Sequence, residues 1–166
     1  MNLTVRTSTP ADLETHVAHR VAMFRDMEMG TEEGLKRMAE AFRPRLHGWL
    51  VTGQCRGLVV ESHGRVVASV LLLLKETVPT PVTPLSVRGY LFNVYTEPSH
   101  RRKGLASRLT DAALDLARGL GIEIMELHAS LEAEPMYQRM GFVPTSEMRL
   151  VMGAGIKTPK QWKHRR

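Results

Sequence analysis

The residues best placed to do chemistry form a basic turn, 101–104 (RRKG), between a strand pattern and a helix pattern. Residues 89–97 are rich in aromatic and β-branched side chains, which favour a strand, and Pro98 ends it. From Leu105 onward, apolar residues recur at helical spacing. The first N–H groups of a helix lack internal partners and attract phosphate, and glycine allows close approach. On composition alone, a phosphate-binding turn and an ordinary solvated basic turn are about equally well supported.

The spacing in this turn is more specific than its composition. Arg101-x-x-Gly104-x-Ala106 after a strand resembles motif A of the GNAT (Gcn5-related N-acetyltransferase) superfamily, which reads Arg/Gln-x-x-Gly-x-Gly/Ala. Residues 94–98 (VYTEP) also resemble the fourth strand of that family with its trailing proline. Ala106 departs from the commoner second glycine. The resemblance implies that the turn holds the pyrophosphate of acetyl-CoA, and that the preceding strand splays and pairs with the pantetheine arm.

A second resemblance lies further along the chain, in residues 133–142. Ala133-x-x-x-Tyr137-x-x-x-Gly141-Phe142 resembles GNAT motif B, which ends in Tyr-x-x-x-Gly-Phe. The two motifs occur in the family's order, and the resemblance covers residues 3–152. It implies the α/β GNAT acyl-CoA N-acyltransferase fold, with a mixed, mostly antiparallel sheet that is splayed in the middle and has helices on both faces.

The resemblance also implies which residues bind the cosubstrate, acetyl-CoA. Backbone N–H groups of the turn carry most of the phosphate binding, and the cationic side chains do not contribute equally, since one or two of them face water. The implied coenzyme-binding residues are Val94, Tyr95, Thr96, Arg101, Arg102, Lys103, Gly104, Leu105, Ala106, Ser107 and Ser130.

Acyl transfer from a thioester to an amine needs a neutral amine, a donor for the oxyanion and an acid for the leaving thiolate. The resemblance implies that Tyr137 is the acid, because an unperturbed phenol is protonated at pH 7. The alternative is that Tyr137 only packs its ring. A backbone N–H within residues 94–96 is the expected oxyanion donor.

The general base is left open by the sequence. Glu28 is a candidate, although an exposed carboxylate at a helix end is the simpler interpretation. Asn93 cannot accept a proton as a base and can only orient a water. His128 has a suitable unperturbed pKa, but a lone histidine is more often structural. Solvent is the remaining alternative.

The elements that must position these residues follow from local signals. Two helices are predicted, one starting at Thr9 and Pro10 and one at Thr31, with the second broken or kinked at Pro44. The helix that begins at Leu105 is predicted to end at Gly119 and Gly121, and a short helix is predicted just before Gly141. The predicted strands are residues 3–6, 58–61, 65–74, 89–97, 122–127 and 145–152, with a hairpin at 62–64 and a proline-rich loop at 76–87.

Composition limits the class of protein. A chain of 166 residues predicts one domain, 1–152, and five of its six net positive charges lie in a basic tail, 153–166. Nucleic-acid binding is therefore disfavoured. The sequence has no apolar run long enough for a membrane span and no apolar signal-peptide core, so neither a membrane span nor secretion is predicted. The single cysteine, Cys55, fits a cytoplasmic protein. No metal site is predicted, because the histidines and the cysteine lack the spacing of a metal-binding motif.

Together these patterns predict an acetyl-CoA-dependent N-acetyltransferase that works by direct attack in a ternary complex. The expected acceptor is a small amine or amino-acid derivative. The alternatives are a protein N-terminal or lysine acetyltransferase and a non-catalytic acyl-CoA sensor. The sequence leaves the oligomeric state open, a homodimer included.

Overall fold

The computed structural model describes residues 3–81, 83–84 and 87–153, and its main element is a five-stranded sheet. The strands lie side by side in chain order, each of the first four antiparallel to the next, while the fifth is parallel to the fourth. This confirms the predicted mixed, mostly antiparallel sheet. The strands are β1 (Leu3–Thr7), β2 (Cys55–Ser62), β3 (Arg65–Glu76), β4 (Val87–Thr96) and β5 (Met125–Leu127).

Helices cover both faces of this sheet, as predicted. They are α1 (Leu13–Asp26), α2 (Glu32–Thr52), α3 (Leu105–Gly119) and α4 (Glu134–Arg139). The helices α1 and α2 pack against each other and against the sheet, and α3 packs against β2, β3 and β4 with no substantial contact to α1 or α2. We conclude that α3 lies on the opposite face.

The chain divides into two compact units, which are described separately. Met1–Leu127 contains the whole sheet with α1, α2 and α3, and His128–Arg166 contains α4. The single domain over 1–152 stays a prediction. Most of the predicted basic tail, from residue 154 onward, lies outside the described residues.

The core between α2 and the sheet is built from side chains with almost no exposed surface. Leu46 of α2 and Leu71 of β3 are fully buried, and Phe42 and Cys55 pack in the same cluster. Cys55 is only 1% exposed, and burial raises the pKa of its thiol to about 12. A thiol in this setting behaves as a small apolar core residue.

The predicted break at Pro44 is wrong, because α2 runs through this position from Glu32 to Thr52. Proline in a helix interior loses one N–H donor and crowds the preceding turn. Pro44 is exposed, so its ring faces away from the core, while Phe42 and Leu46 on either side are buried. Burial of this apolar stripe outweighs the local penalty.

The predicted strand at 145–152 is also wrong, since these residues form no strand pairing in the described part of the chain. The apolar side chains of Met148, Leu150 and Met152 are strongly exposed. An alternating pattern makes a strand only when a neighbouring strand accepts its backbone hydrogen bonds. The strand predicted at 122–127 is shorter than expected, Met125–Leu127, and the one predicted at 58–61 is longer, Cys55–Ser62.

The start of α1 is tied to the sheet by the carboxylate of Asp12. It accepts hydrogen bonds from Arg6 Nη1 at 2.8 Å and Nη2 at 2.9 Å, and from the Thr9 N–H at 2.7 Å. These bonds, led by those from Arg6, lower the pKa of Asp12 from 3.8 to about 2. The ionised carboxylate is therefore favoured by folding, and this contribution to stability is lost as the pH falls from 3.8 toward 2.

We expect Asp12→Asn to lower the free energy of unfolding at pH 7 by about 1–2 kcal/mol, after allowing for the partly exposed Arg6. Denaturant unfolding of both proteins between pH 7 and pH 2 checks this, and the two curves should converge at the acid end. Asp115→Asn, which removes an exposed pair with Arg118, is the control and should change little. Equal losses of unfolding free energy in the two variants would contradict the stabilising role of the Asp12 carboxylate.

Candidate functional site

A β-bulge in β4 is the first feature of the candidate site. Phe92 pairs with Leu71 of β3 and Tyr95 with Ser69, so Asn93 and Val94 together face one residue of β3. Asn93 has a left-handed backbone, with φ of 56°. Its Nδ2 donates a hydrogen bond of 3.0 Å to the carbonyl oxygen of His16 on α1, and only 3% of the residue is exposed. The bulge is therefore held in place from α1.

Beyond the bulge, one edge of β4 has no strand beside it in the described part of the chain. The last strand, β5, pairs only with Gly89, Tyr90 and Leu91. Residues 92–96 are consequently paired with β3 alone, which is the splay that the sequence predicted. An unpaired strand edge offers N–H and C=O groups to an extended ligand.

The turn after β4 brings several N–H groups to the start of α3. Arg102 and Gly104 both have positive φ, 60° and 71°, on either side of Lys103. Backbone turns of this kind form concave N–H sites for anions. The first helical hydrogen bond there runs from Arg108 N–H to the oxygen of Gly104, at 3.0 Å. Residues 105–107 accordingly present N–H groups that no helical carbonyl accepts.

Space at this turn is open on the protein side. A Cβ built on Gly104 would meet no protein atom within 4 Å. The positive φ, rather than crowding by neighbouring side chains, therefore explains why glycine suits this position. The helix start, the positive φ angles and the open space together suit a bound phosphate group.

The cationic side chains around the turn have different partners. Arg101 forms an ion pair with Asp26 at the end of α1, and its Nε donates to the carbonyl oxygen of Thr96 at 3.0 Å. Its guanidinium carbon lies 5.6 Å from the ring centre of Tyr95. Lys103 Nζ donates to the carbonyl oxygen of Ser99 at 3.3 Å. Arg101 thus fastens the turn to β4 and α1.

Two histidines of α1 lie against the bulge and were missed in the sequence. Nδ1 of His19 is 2.8 Å from Oγ of Ser69, and its ring centre is 4.9 Å from that of Tyr95. Burial lowers the pKa of His19, and it lowers the pKa of His16 to about 4. Both rings are neutral at pH 7. Their spacing on α1 was the available signal, but their partners on β3 and β4 are distant in sequence.

The corner between α1 and α2 holds Glu28, the predicted base. Glu28 is exposed and has φ of 52°, and its N–H donates to the carbonyl oxygen of Arg25 at 2.9 Å. The next residue, Met29, lines an apolar cavity of about 300 Å³. The other lining residues are Phe24, Gly30, Gly34, Leu35 and Met38. Glu28 therefore directly precedes, in the sequence, one of the residues that line this cavity.

The second unit carries the other predicted residues. Tyr137 on α4 is 6% exposed, and the ring of Phe142 packs against it edge to face at 5.7 Å. Burial raises the pKa of Tyr137 to about 12, so the phenol is protonated at neutral pH. Ser130 Oγ accepts the Ala133 N–H at 3.3 Å, and His128 Nε2 is 3.5 Å from Glu147 Oε1.

Metal-binding clusters and membrane-spanning helices are both absent from the described residues. In the residues that the structure describes, no group of three or more His, Cys, Asp or Glu side chains is arranged to bind a metal ion. Within the same ranges, no helix has both the length and the apolar character needed to cross a membrane.

Comparison with known proteins identifies the family. The model of the acetyltransferase (GNAT) family matches residues 21–142. A GCN5-related N-acetyltransferase from Ralstonia eutropha JMP134 is 36% identical, with a TM-score of 0.86, covering 91% of this chain and 99% of its own. A predicted acetyltransferase with acetyl-CoA from Clostridium acetobutylicum is 21% identical, with a TM-score of 0.84. It covers 90% of this chain and 96% of its own.

Structures that are less than 25% identical, the one from Clostridium acetobutylicum included, share the fold alone. The aminoglycoside 6′-N-acetyltransferase of Acinetobacter haemolyticus is 20% identical, with a TM-score of 0.66, and covers 95% of this chain and 100% of its own. No protein with a curated description matches the sequence. Since the family model spans most of the chain and a 36% identical relative matches nearly all of it, the chain belongs to the GNAT family and is an acyltransferase.

Proposed function

We propose that this protein transfers the acetyl group of acetyl-CoA to the amino group of a small amine or amino-acid derivative. The observation that carries the proposal is the continuity of two backbone features. The unpaired edge of β4 after Asn93 leads directly into the N–H-rich turn before α3. An extended arm and a pyrophosphate are chemically suited to these two features in that order.

In this proposal the coenzyme is bound mainly by the backbone. Val94, Tyr95 and Thr96 pair with its pantetheine arm, and the N–H groups of the turn and of the first helical residues receive its pyrophosphate. Arg101 acts by holding the turn, while the exposed side chain of Arg102 is available to a phosphate. The other proposed coenzyme residues are Lys103, Gly104, Leu105, Ala106, Ser107 and Ser130.

The proposed reaction is direct transfer in a ternary complex. The amine nitrogen attacks the thioester carbonyl carbon, the C–S bond breaks, and the coenzyme leaves as a thiolate that takes up a proton. N–H groups of residues 94–96 stabilise the oxyanion, and Tyr137 supplies the proton. The role of Tyr137 rests on its motif and on a raised pKa, which keeps the phenol protonated.

Proton removal from the amine is assigned to Glu28, directly or through water. Its support is its position directly before Met29, which lines the apolar cavity at the α1–α2 corner. Asn93 has the supporting role of holding the bulge, and its Oδ1, which is buried without a partner in the described chain, is suited to bind a water. The pH dependence of kcat/KM in Glu28→Gln, compared with that of the wild type, tests the role of Glu28 as the base.

The test of the function is release of coenzyme thiol from acetyl-CoA with pooled amines and, separately, pooled peptides. Release that depends on the small-amine pool, and that is lost in Gly104→Glu, is the expected result. Release only with peptides would contradict the proposed acceptor class. Binding of acetyl-CoA without release in any pool would favour a sensor, and absence of binding would contradict the coenzyme itself.

A further inference from the structure

Arg20 of α1 lies among three aromatic rings that come from three different elements. Its guanidinium carbon is 4.9 Å from the ring centre of Phe24 on α1, 4.7 Å from that of Phe42 on α2 and 5.8 Å from that of Phe92 on β4. A guanidinium is attracted by a ring face at such distances. These contacts fix the position of the side chain.

Arg20 is partly buried, and no carboxylate in the described residues faces it. Among the described residues it forms no ion pair and no hydrogen bond, and its Nε is buried without a partner. Burial lowers its pKa. A charge removed from water is costly unless an opposite charge accompanies it, and ring faces compensate only in part. The arginines that do form ion pairs with carboxylates are Arg6, Arg25, Arg43, Arg65, Arg88, Arg101, Arg118 and Arg149.

The unpaired cation adjoins the cavity at the α1–α2 corner. Phe24 belongs to both, since it contacts Arg20 and lines the cavity of about 300 Å³. The remaining cavity walls are glycine, leucine and methionine, which offer no charge to a ligand. Arg20 itself is not a lining residue, so a molecule in the cavity would contact apolar walls and would reach the guanidinium past Phe24.

Arg20 also adjoins the proposed transfer site on β4. Phe92, the third ring around it, comes directly before the bulge at Asn93 and Val94. The ionisable groups of α1 nearest the bulge, His16 and His19, are neutral because burial lowers their pKa. Tyr90, stacked on Phe92 at 5.8 Å, is the other titratable group that faces Arg20. One unpaired positive charge therefore remains.

We propose that Arg20 binds the carboxylate of the acceptor, which is an aminocarboxylate whose apolar side chain occupies the cavity. This inference rests on the proposed N-acetyltransferase function and specifies its substrate class. The planar guanidinium matches a carboxylate with two parallel hydrogen bonds, and its single charge is balanced by a single carboxylate. Amino acids with apolar side chains combine the three required groups.

The test compares acids with their amides in the full-length protein. Leucine, methionine and phenylalanine are each measured against their primary amides for acetyl-CoA-dependent thiol release, and for direct binding by calorimetry. We expect kcat/KM, expressed per neutral amine, to favour each acid by about 10- to 100-fold, because the amide cannot form a charge-assisted pair. Equal or better use of the amides would overturn the proposal without affecting the proposed function.

Variants show whether the preference comes from Arg20. Arg20→Met keeps a long apolar side chain among the rings, and it should raise KM for the acids by about 10- to 100-fold while changing KM for the amides by about twofold or less. Arg45→Met is the control, because Arg45 also lies over a ring, Trp49 at 5.8 Å, but is exposed. It should leave both classes unchanged.

The remaining outcomes separate this inference from the proposed function. If Arg20→Met does not fold, Arg20→Lys replaces it, and loss of preference for the acid is again expected because the bidentate contact is lost. Equal losses for acids and amides would show a structural role and overturn the proposal. If acetyl-CoA is not used at all, the proposed function fails, and calorimetric binding of the acids alone then decides the role of Arg20. Absence of such binding overturns it.

Discussion

Gly104→Glu is expected to reduce the affinity for acetyl-CoA by about 100-fold or more, which corresponds to about 3 kcal/mol. The new carboxylate would lie at the start of α3, where the proposed site receives the negatively charged pyrophosphate. The built Cβ meets no atom within 4 Å beyond the neighbouring residues of the chain, so the added side chain starts in open space. Calorimetric titration with acetyl-CoA measures the effect.

The matched control is Gly121→Glu, just beyond the other end of α3. Gly121 has φ of 73°, close to the 71° of Gly104, and it too has no atom within 4 Å of a built Cβ. Both variants therefore carry the same left-handed backbone cost of about 1–2 kcal/mol. The Gly121 variant should lose stability and keep its affinity. Equal affinity in both would contradict the proposed phosphate site.

Tyr137→Phe is expected to lower kcat by about 10²- to 10⁴-fold and to leave the Kd for acetyl-CoA unchanged, because general acids contribute in this range. The substitution removes only the hydroxyl and keeps the ring contact with Phe142. Pre-steady-state measurement of thiol release isolates the chemical step. In the wild type, the raised pKa of about 12 predicts that loss of this proton does not limit kcat below about pH 11.

A packing role for Tyr137 is tested by Phe142→Leu. This change removes the edge-to-face contact and keeps the hydroxyl, so it should lower the melting temperature and leave kcat within a few-fold of wild type. If Tyr137→Phe also leaves kcat unchanged, Tyr137 is not the acid. The thiolate would then have to take its proton from another donor.

The segment from β4 to α3 was predictable because its signals are local. Pro98 marked the end of the strand, which the structure puts at Thr96, and Leu105 begins the helix as predicted. The positive φ at Gly104 follows from the same glycine that carried the motif. Each of these features depends on residues within a few positions of one another, so sequence alone sufficed.

Other features of the candidate site depend on partners that are distant in sequence. The bulge at Asn93 is defined by its register with β3 and by a hydrogen bond to His16, 77 positions away. The rings around Arg20 come from α2 and β4 as well as from α1. No local pattern announces such an arrangement. Pro44 shows the converse, since a strong local signal was overridden by burial of Phe42 and Leu46.

Burial of Cys55 also makes this enzyme convenient to assay. Its thiol is 1% exposed, has a pKa of about 12 and is the only cysteine of the chain. A thiol-specific dye added to the folded protein should therefore report coenzyme release with no background from the protein itself. Unfolding would uncover one thiol per chain, so the same dye without acetyl-CoA serves as a direct gauge of the unfolded fraction in every variant.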